Sequence, residues 1–155
     1  MMMMTDSNGF EEYVTATVRE QIFGVPILRV QDVFIPERLT RVPLAPPEIA
    51  GVLNLRGRIV TLIDLRRRLG LAPREANDAP EMAIGIESRG ESYGLLVDGV
   101  GEVLKLDADM REANPLNLDP RLARVSAGIH RLEAQLLMVL DVDRVLDITA
   151  VAVAA

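Results

Sequence analysis

The side chains that could do chemistry in this chain are few, and their spacing does not suit it. There is no cysteine, hence no thiolate nucleophile, thiolate metal site or disulfide framework. The one histidine, His130, cannot build a zinc site of the usual kind. One histidine would have to serve any Ser-His-Asp set, and no serine sits in a Gly-x-Ser-x-Gly elbow. No Gly-Lys-Ser/Thr closes a phosphate loop. Asp107, Asp109 and Glu112 share a polar stretch without a regular metal-ligand spacing. Asp64 and Asp141 each end an apolar strand ahead of a helical turn, the place of an N-cap. Arg66-Arg67-Arg68 reads as a solvated basic face, and His130, beside an apolar strand, as a structural residue. The residue types point to a protein that is not an enzyme and needs no cofactor or metal.

Composition narrows the partners. Of 155 residues, 49% are hydrophobic and 26% charged, enough to bury a core. The net charge of −6 argues against a polyanion, and an aromatic fraction of 3% with no tryptophan argues against stacking single-stranded nucleic acid. No apolar run of about 18 residues is present, so no membrane insertion is expected. Met1–Met4 has no basic n-region, so it is not a signal peptide, and a cytoplasmic location follows as the expectation.

The stretch Arg41–Leu71 organises the elements. Val52–Leu55 and Ile59–Leu65 read as strands joined by a tight Arg56-Gly57 reversal in which Gly57 takes a positive φ. Ile59–Leu65 is so apolar that it must lie in a covered sheet or a small barrel. Arg66–Leu69 then forms a helical turn capped by Gly70. Further strands are expected at 14–18, 22–27, 28–34, 82–86, 92–97, 100–106, 124–130 and 136–142, with a helical turn at 143–146. Pro73–Pro80 is the most turn-rich segment and reads as a linker.

The two halves repeat. Ala50–Leu69 aligns without a gap on Ala127–Leu146, placing Gly51 on Gly128, Asp64 on Asp141 and Leu53 on His130. Upstream, Phe23-Gly24-Val25 falls on Tyr93-Gly94-Leu95, and Val30-Gln31-Asp32-Val33 on Val100-Gly101-Glu102-Val103. Two small five-stranded barrels follow from the repeat. One difference stands out: Asp32 and Arg56 fall on Glu102 and Glu133. The first copy can form an ion pair between Asp32 and Arg56, and the second cannot.

These residues resemble the chemotaxis coupling protein family and the related regulatory domain of the kinase CheA. The resemblance rests on Phe23–Ile27, Val30–Val33, Arg41-Val42-Pro43 with Pro46, Gly51-Val52, Asn54-Leu55-Arg56-Gly57, Ile63–Arg66, Gly94–Val103 and the closing Leu136–Leu146. It implies an all-β fold with short helices, made of two tandem five-stranded SH3-like barrels. The domain would span 12–148, with subdomain one at about 12–75 and subdomain two at about 81–148. The C-terminal segment could pack back on subdomain one, and 1–11 and 149–155 would be loose. It also implies a non-catalytic adaptor coupling chemoreceptor cytoplasmic tips to the CheA regulatory domain, in the cytoplasm at membrane-attached receptor arrays. Candidate contacts with receptor or kinase are Val30, Gly51, Arg56, Gly94, Val100 and Val103. An apolar groove between the barrels would take the receptor helices. The alternative is a small-barrel module binding a ligand or an oligonucleotide.

Overall fold

The computed structural model describes residues 9–73, 75 and 81–147. The expectations for the C-terminal tail, and most of those for the linker and the extreme N-terminus, lie outside these residues. The described residues form ten strands: β1 (Phe10–Val18), β2 (Gln21–Pro26), β3 (Val30–Phe34), β4 (Ile49–Leu55), β5 (Arg58–Asp64), β6 (Met82–Ser88), β7 (Glu91–Val97), β8 (Gly99–Asp107), β9 (Ser126–Arg131) and β10 (Leu136–Leu140). Three short helices, α1 (Leu65–Arg68), α2 (Pro120–Val125) and α3 (Val142–Val145), complete it with single 3-10 turns at Ile27–Arg29 and Ala108–Met110.

The strands form two five-stranded sheets, ordered β8-β1-β2-β10-β9 and β3-β6-β7-β5-β4. Substituting each strand by its repeat partner turns the first order into the second. The register obeys the same rule. Leu62 lies beside Gly94 in the parallel β5–β7 pair, and Val139 beside Gly24 in the parallel β10–β2 pair. Val14 pairs with Val25 as Ile84 pairs with Leu95. The β1–β8 and β3–β6 ladders are both interrupted by a bulge at matching places. Each sheet closes laterally through one bridge made after its edge strand has ended. Thr40 exchanges two backbone hydrogen bonds of 2.8 Å with Val52, and Glu112 exchanges bonds of 2.8 and 2.9 Å with Ile129. A closed sheet leaves little free edge, which suits strands this short.

The sheets do not divide at the linker. β1 and β2, from the first half, join β8, β9 and β10; β3, β4 and β5 join β6 and β7. The division into 12–75 and 81–148 therefore describes the repeat and not the barrels. We call the sheet containing β1 the first barrel and the other the second barrel. β1 also begins at Phe10, inside the stretch expected to be loose, because β8 is long enough to pair with it as far as Asp107.

Local chemistry explains the connections. The two-residue reversals Arg56-Gly57 and Arg89-Gly90 both hold positive φ at each residue, the geometry that matches the twist of a hairpin. Asp64 and Asp141 cap α1 and α3 by accepting the backbone N–H of Arg67 and Arg144. Helix α2 replaces the start of a strand expected at 124–130: Asp119 caps it and Pro120 opens it.

Three apolar cores result. The second barrel is filled by Leu53, Val60, Leu62, Ala83 and Leu96. The first is filled by Tyr13, Leu137 and Val139. The largest core lies between the sheets, where Val18, Phe23 and Val25 meet Ile63, Ile84, Ile86 and Leu95, and where the helices add Leu65, Val142 and Val145.

Candidate functional site

The seam between the barrels is thus packed with the protein's own side chains. The interior of the seam is this shared core, and partly exposed valines lie along its margin. Val30 and Val100 sit at that margin. Both are half-buried and pack against the shared core. Further along the same strands, Val33 is 40% exposed and Val103 47% exposed. The repeat therefore presents the same pair of valines on β3 and on β8.

The other contact candidates are placed differently. Gly51 is buried, with φ of +153°, and a Cβ there would come within 2.5 Å of the Thr40 carbonyl oxygen. Its partner by repeat, Gly128, has φ of +135° and would meet the Glu112 carbonyl oxygen at 2.8 Å. Both glycines exist so that the closing bridge can pass backbone against backbone. Gly94 is buried too, and a Cβ there would press on Leu62 of the parallel neighbour at 2.6 Å. Neither Gly51 nor Gly94 offers a surface. Arg56 is exposed, with Nη1 3.7 Å from Asp32 Oδ2. Beside it, Arg58 donates to Gln31 Oε1 at 3.2 Å, and Gln31 Nε2 donates to Glu87 at 3.2 Å. These contacts fasten the β4–β5 hairpin to β3 on the far side of the barrel closure. At such exposure the Arg56–Asp32 pair adds little stability.

The basic triplet is not a uniformly solvated face. Arg66 is buried and binds Asp98 in fork geometry, Nε to Oδ1 at 3.0 Å and Nη2 to Oδ2 at 2.7 Å. Asp98 Oδ2 also accepts the backbone N–H of Arg19 at 2.5 Å, which holds that residue at a positive φ in the β1–β2 turn. One carboxylate thus joins α1, the β1–β2 turn and the start of β8, close to Val100. Arg68 donates to the carbonyls of Val145 and Arg144, tying α1 to α3, and burial holds its guanidinium below its ordinary range. Only Arg67 is left largely free in solvent, beside Asp64.

Sequence reasoning missed a second apolar surface. Around the loop between β3 and β4, the large side chains Ile35, Leu39, Val42 and Leu44 are exposed, and Ile59 on the β4–β5 hairpin is exposed beside them in the same cleft wall as Ile35. Leu39, Val42, Pro46, Pro47 and Arg67 line a cleft of about 510 Å³ at this end of the second barrel. The signal was present: isolated apolar residues among Pro43, Pro46 and Pro47 cannot join a ladder, so they have no core to enter. At the matching end of the first barrel lies a cleft of about 320 Å³ whose polar cluster is the buried Glu11 carboxylate, accepting from Tyr13 Oη at 2.7 Å with Arg111 at 3.8 Å. Burial and the Glu11 carboxylate push the Tyr13 phenol well above its ordinary range. No group of side chains among the described residues could hold a metal ion, and no helix among them is long and apolar enough to cross a membrane.

A duplicated pair of small barrels, with apolar side chains exposed on β3, on β8 and around the β3–β4 loop among other places, has the surface of a module that contacts other proteins. The family model for the CheW-like domain matches residues 12–150, and the chain belongs to that family. It is 30% identical to the chemotaxis protein CheW of Bacillus subtilis over 137 residues, covering 88% of this chain and 87% of that one. It is 29% identical to the CheW of Klebsiella aerogenes over 136 residues, covering 88% and 81%. The crystal structure of the scaffolding protein TtCheW from Thermoanaerobacter tengcongensis superposes with a TM-score of 0.73 at 30% identity, covering 83% of this chain and 87% of that one. The chain is accordingly a non-catalytic scaffold of chemotaxis.

Proposed function

We propose that this protein couples the cytoplasmic tips of chemoreceptors to the regulatory domain of the histidine kinase CheA, within the cytoplasm at membrane-attached receptor arrays. The observation that carries this reading is the valine pair repeated on β3 and β8, Val30 with Val33 and Val100 with Val103, left open at the margin of a packed seam. Two stiff apolar ridges flanking a seam fit the apolar stripe of a helical hairpin and lose little side-chain entropy on contact. The kinase domain is assigned to the other apolar surface, around Leu39, Val42 and Leu44. Each surface alone is small, so affinity depends on many contacts made together.

The test is binding measured separately to a receptor-tip fragment and to a kinase regulatory domain. Val103→Asp is expected to weaken tip binding and spare the kinase domain, with Leu44→Asp doing the reverse. Val100→Asp should also weaken tip binding, but Val100 touches the core, so the more exposed Val103 carries the decision. Binding to neither partner by the unaltered protein would sink the reading and favour a ligand-binding barrel.

A further inference from the structure

We propose that the first barrel has a proton-sensitive closure: charging His130, which is sealed inside it on β9, releases the adjoining Glu112–Ile129 bridge that holds the barrel shut. His130 is 3% exposed. Its ring lies 5.7 Å from that of Tyr13, tilted by 59°. Its Nε2 is buried with no hydrogen-bond partner among the described residues. A neutral imidazole can live there as a mostly apolar ring. A charged one brings two N–H donors and a full charge into a core of Tyr13, Leu137 and Val139.

Among the described residues the acidic groups around it already have partners, Asp107 accepting the Asp109 N–H at 2.9 Å where it caps the 3-10 turn. The charged and titratable groups facing His130 are Glu11 and Tyr13 on β1, Asp107 at the end of β8, and Arg111 and Glu112 on the segment beyond. The neighbouring strand β10 contributes only apolar side chains. Glu11 already accepts from Tyr13 and lies beside Arg111, and Glu112 accepts from Arg131 at 2.7 Å on the outside. To reach Glu11, a charged His130 would displace the Tyr13 hydroxyl and orphan it. Leaving the core instead moves β9, and the next residue in β9 is Ile129, whose two bonds to Glu112 close the barrel. Burial keeps the His130 imidazole below its ordinary range, in line with this cost. The second barrel supplies a built-in control. Its matching bridge is Thr40–Val52, and its matching core residue is Leu53, which does not titrate.

The chain has one histidine, so its ring signals in an NMR titration are unambiguous. The experiment follows those signals, and amide hydrogen-exchange protection at both bridges, from pH 7.5 to pH 5. The imidazole is expected to titrate below about 6.5, its value when unperturbed. Protection at Ile129 and Glu112 should fall by up to about tenfold for each pH unit below the ordinary imidazole value, until the folded-state pKa is reached, while Thr40 and Val52 hold theirs. His130→Leu should abolish the difference. Titration at or above the ordinary value, equal losses at both bridges, or a loss that survives in His130→Leu would each overturn the proposal. If His130→Leu does not fold, the comparison of the two bridges in the unaltered protein decides alone.

Discussion

A methyl group added at Gly51 would strike the carbonyl oxygen of Thr40, whose hydrogen bonds to Val52 close the second barrel. The nearest obstacle is backbone, which cannot step aside as a flexible side chain can. Gly57 has a positive φ too, at +84°, but nothing lies within 4 Å of a Cβ there. The two positions separate conformational strain from collision. Gly57→Ala should cost about 1 kcal/mol, the strain alone, and Gly51→Ala about 3 kcal/mol or more, read from urea unfolding midpoints. Equal losses would mean that the bridge yields freely. In the sequence, Gly51 and Gly94 were candidate contacts with receptor or kinase. A glycine needed for close approach to the chain itself carries the same letter, and only the fold shows which backbone arrives. Asp32 and Arg56 were more legible, because the repeat supplied a contrast in Glu102 and Glu133.

Helix α1 is one turn long and could not persist alone. It is held by the Asp64 cap, by Leu65 in the shared core and by the fork between Arg66 and Asp98. With side chains only 6% and 18% exposed, this is the one arginine–carboxylate pair among the described ion pairs that is largely withdrawn from water on both sides. Removing Asp98 takes both fork hydrogen bonds from a buried guanidinium, which costs more than the pair contributes when intact. Asp98→Ala should destabilise the protein by about 3 kcal/mol and loosen the β1–β2 turn, visible as faster amide exchange at Arg19. Arg56→Ala, breaking an exposed pair, should change stability by less than about 1 kcal/mol. The hairpins were readable because glycine and alternation mark them, and the apolar β5 announced its own burial. Arg66 was not readable: three arginines in a row differ only in the direction each faces, and α1 turns one of them inward. Helix α2 carried its Asp119-Pro120 opening signal, but it passes into β9 with no residue between them, Val125 ending one and Ser126 opening the other, so no turn signal marks where helix gives way to strand.

The whole molecule is a repeat whose copies have exchanged strands. The first copy gives β1 and β2 to one barrel and β3, β4 and β5 to the other, and the second copy returns the exchange. Sequence alone could show that the copies exist. It could not show the exchange, because strands paired within a copy and strands paired between copies have the same alternation and length. The consequence is energetic. Without the second copy the first sheet keeps only β1 and β2 and the second loses its inner pair β6 and β7; without the first copy the losses are reversed, so neither sheet survives the loss of a copy. The shared core likewise draws Phe23 and Ile63 from one copy and Ile84, Leu95 and Leu140 from the other. Neither copy can bury its apolar side chains alone, and a chain this short has no surplus core to draw upon. Residues 9–73 and 81–147, produced as separate chains, should each lack fixed tertiary structure. Mixed in equal amounts, they should combine into one folded complex with the two-barrel spectrum, followed by near-ultraviolet circular dichroism of the Tyr13 and Tyr93 signals and by gel filtration. A half that folds unaided as a stable monomer would show that one copy holds a complete core, and the exchange would then be a detail of pairing rather than the source of stability.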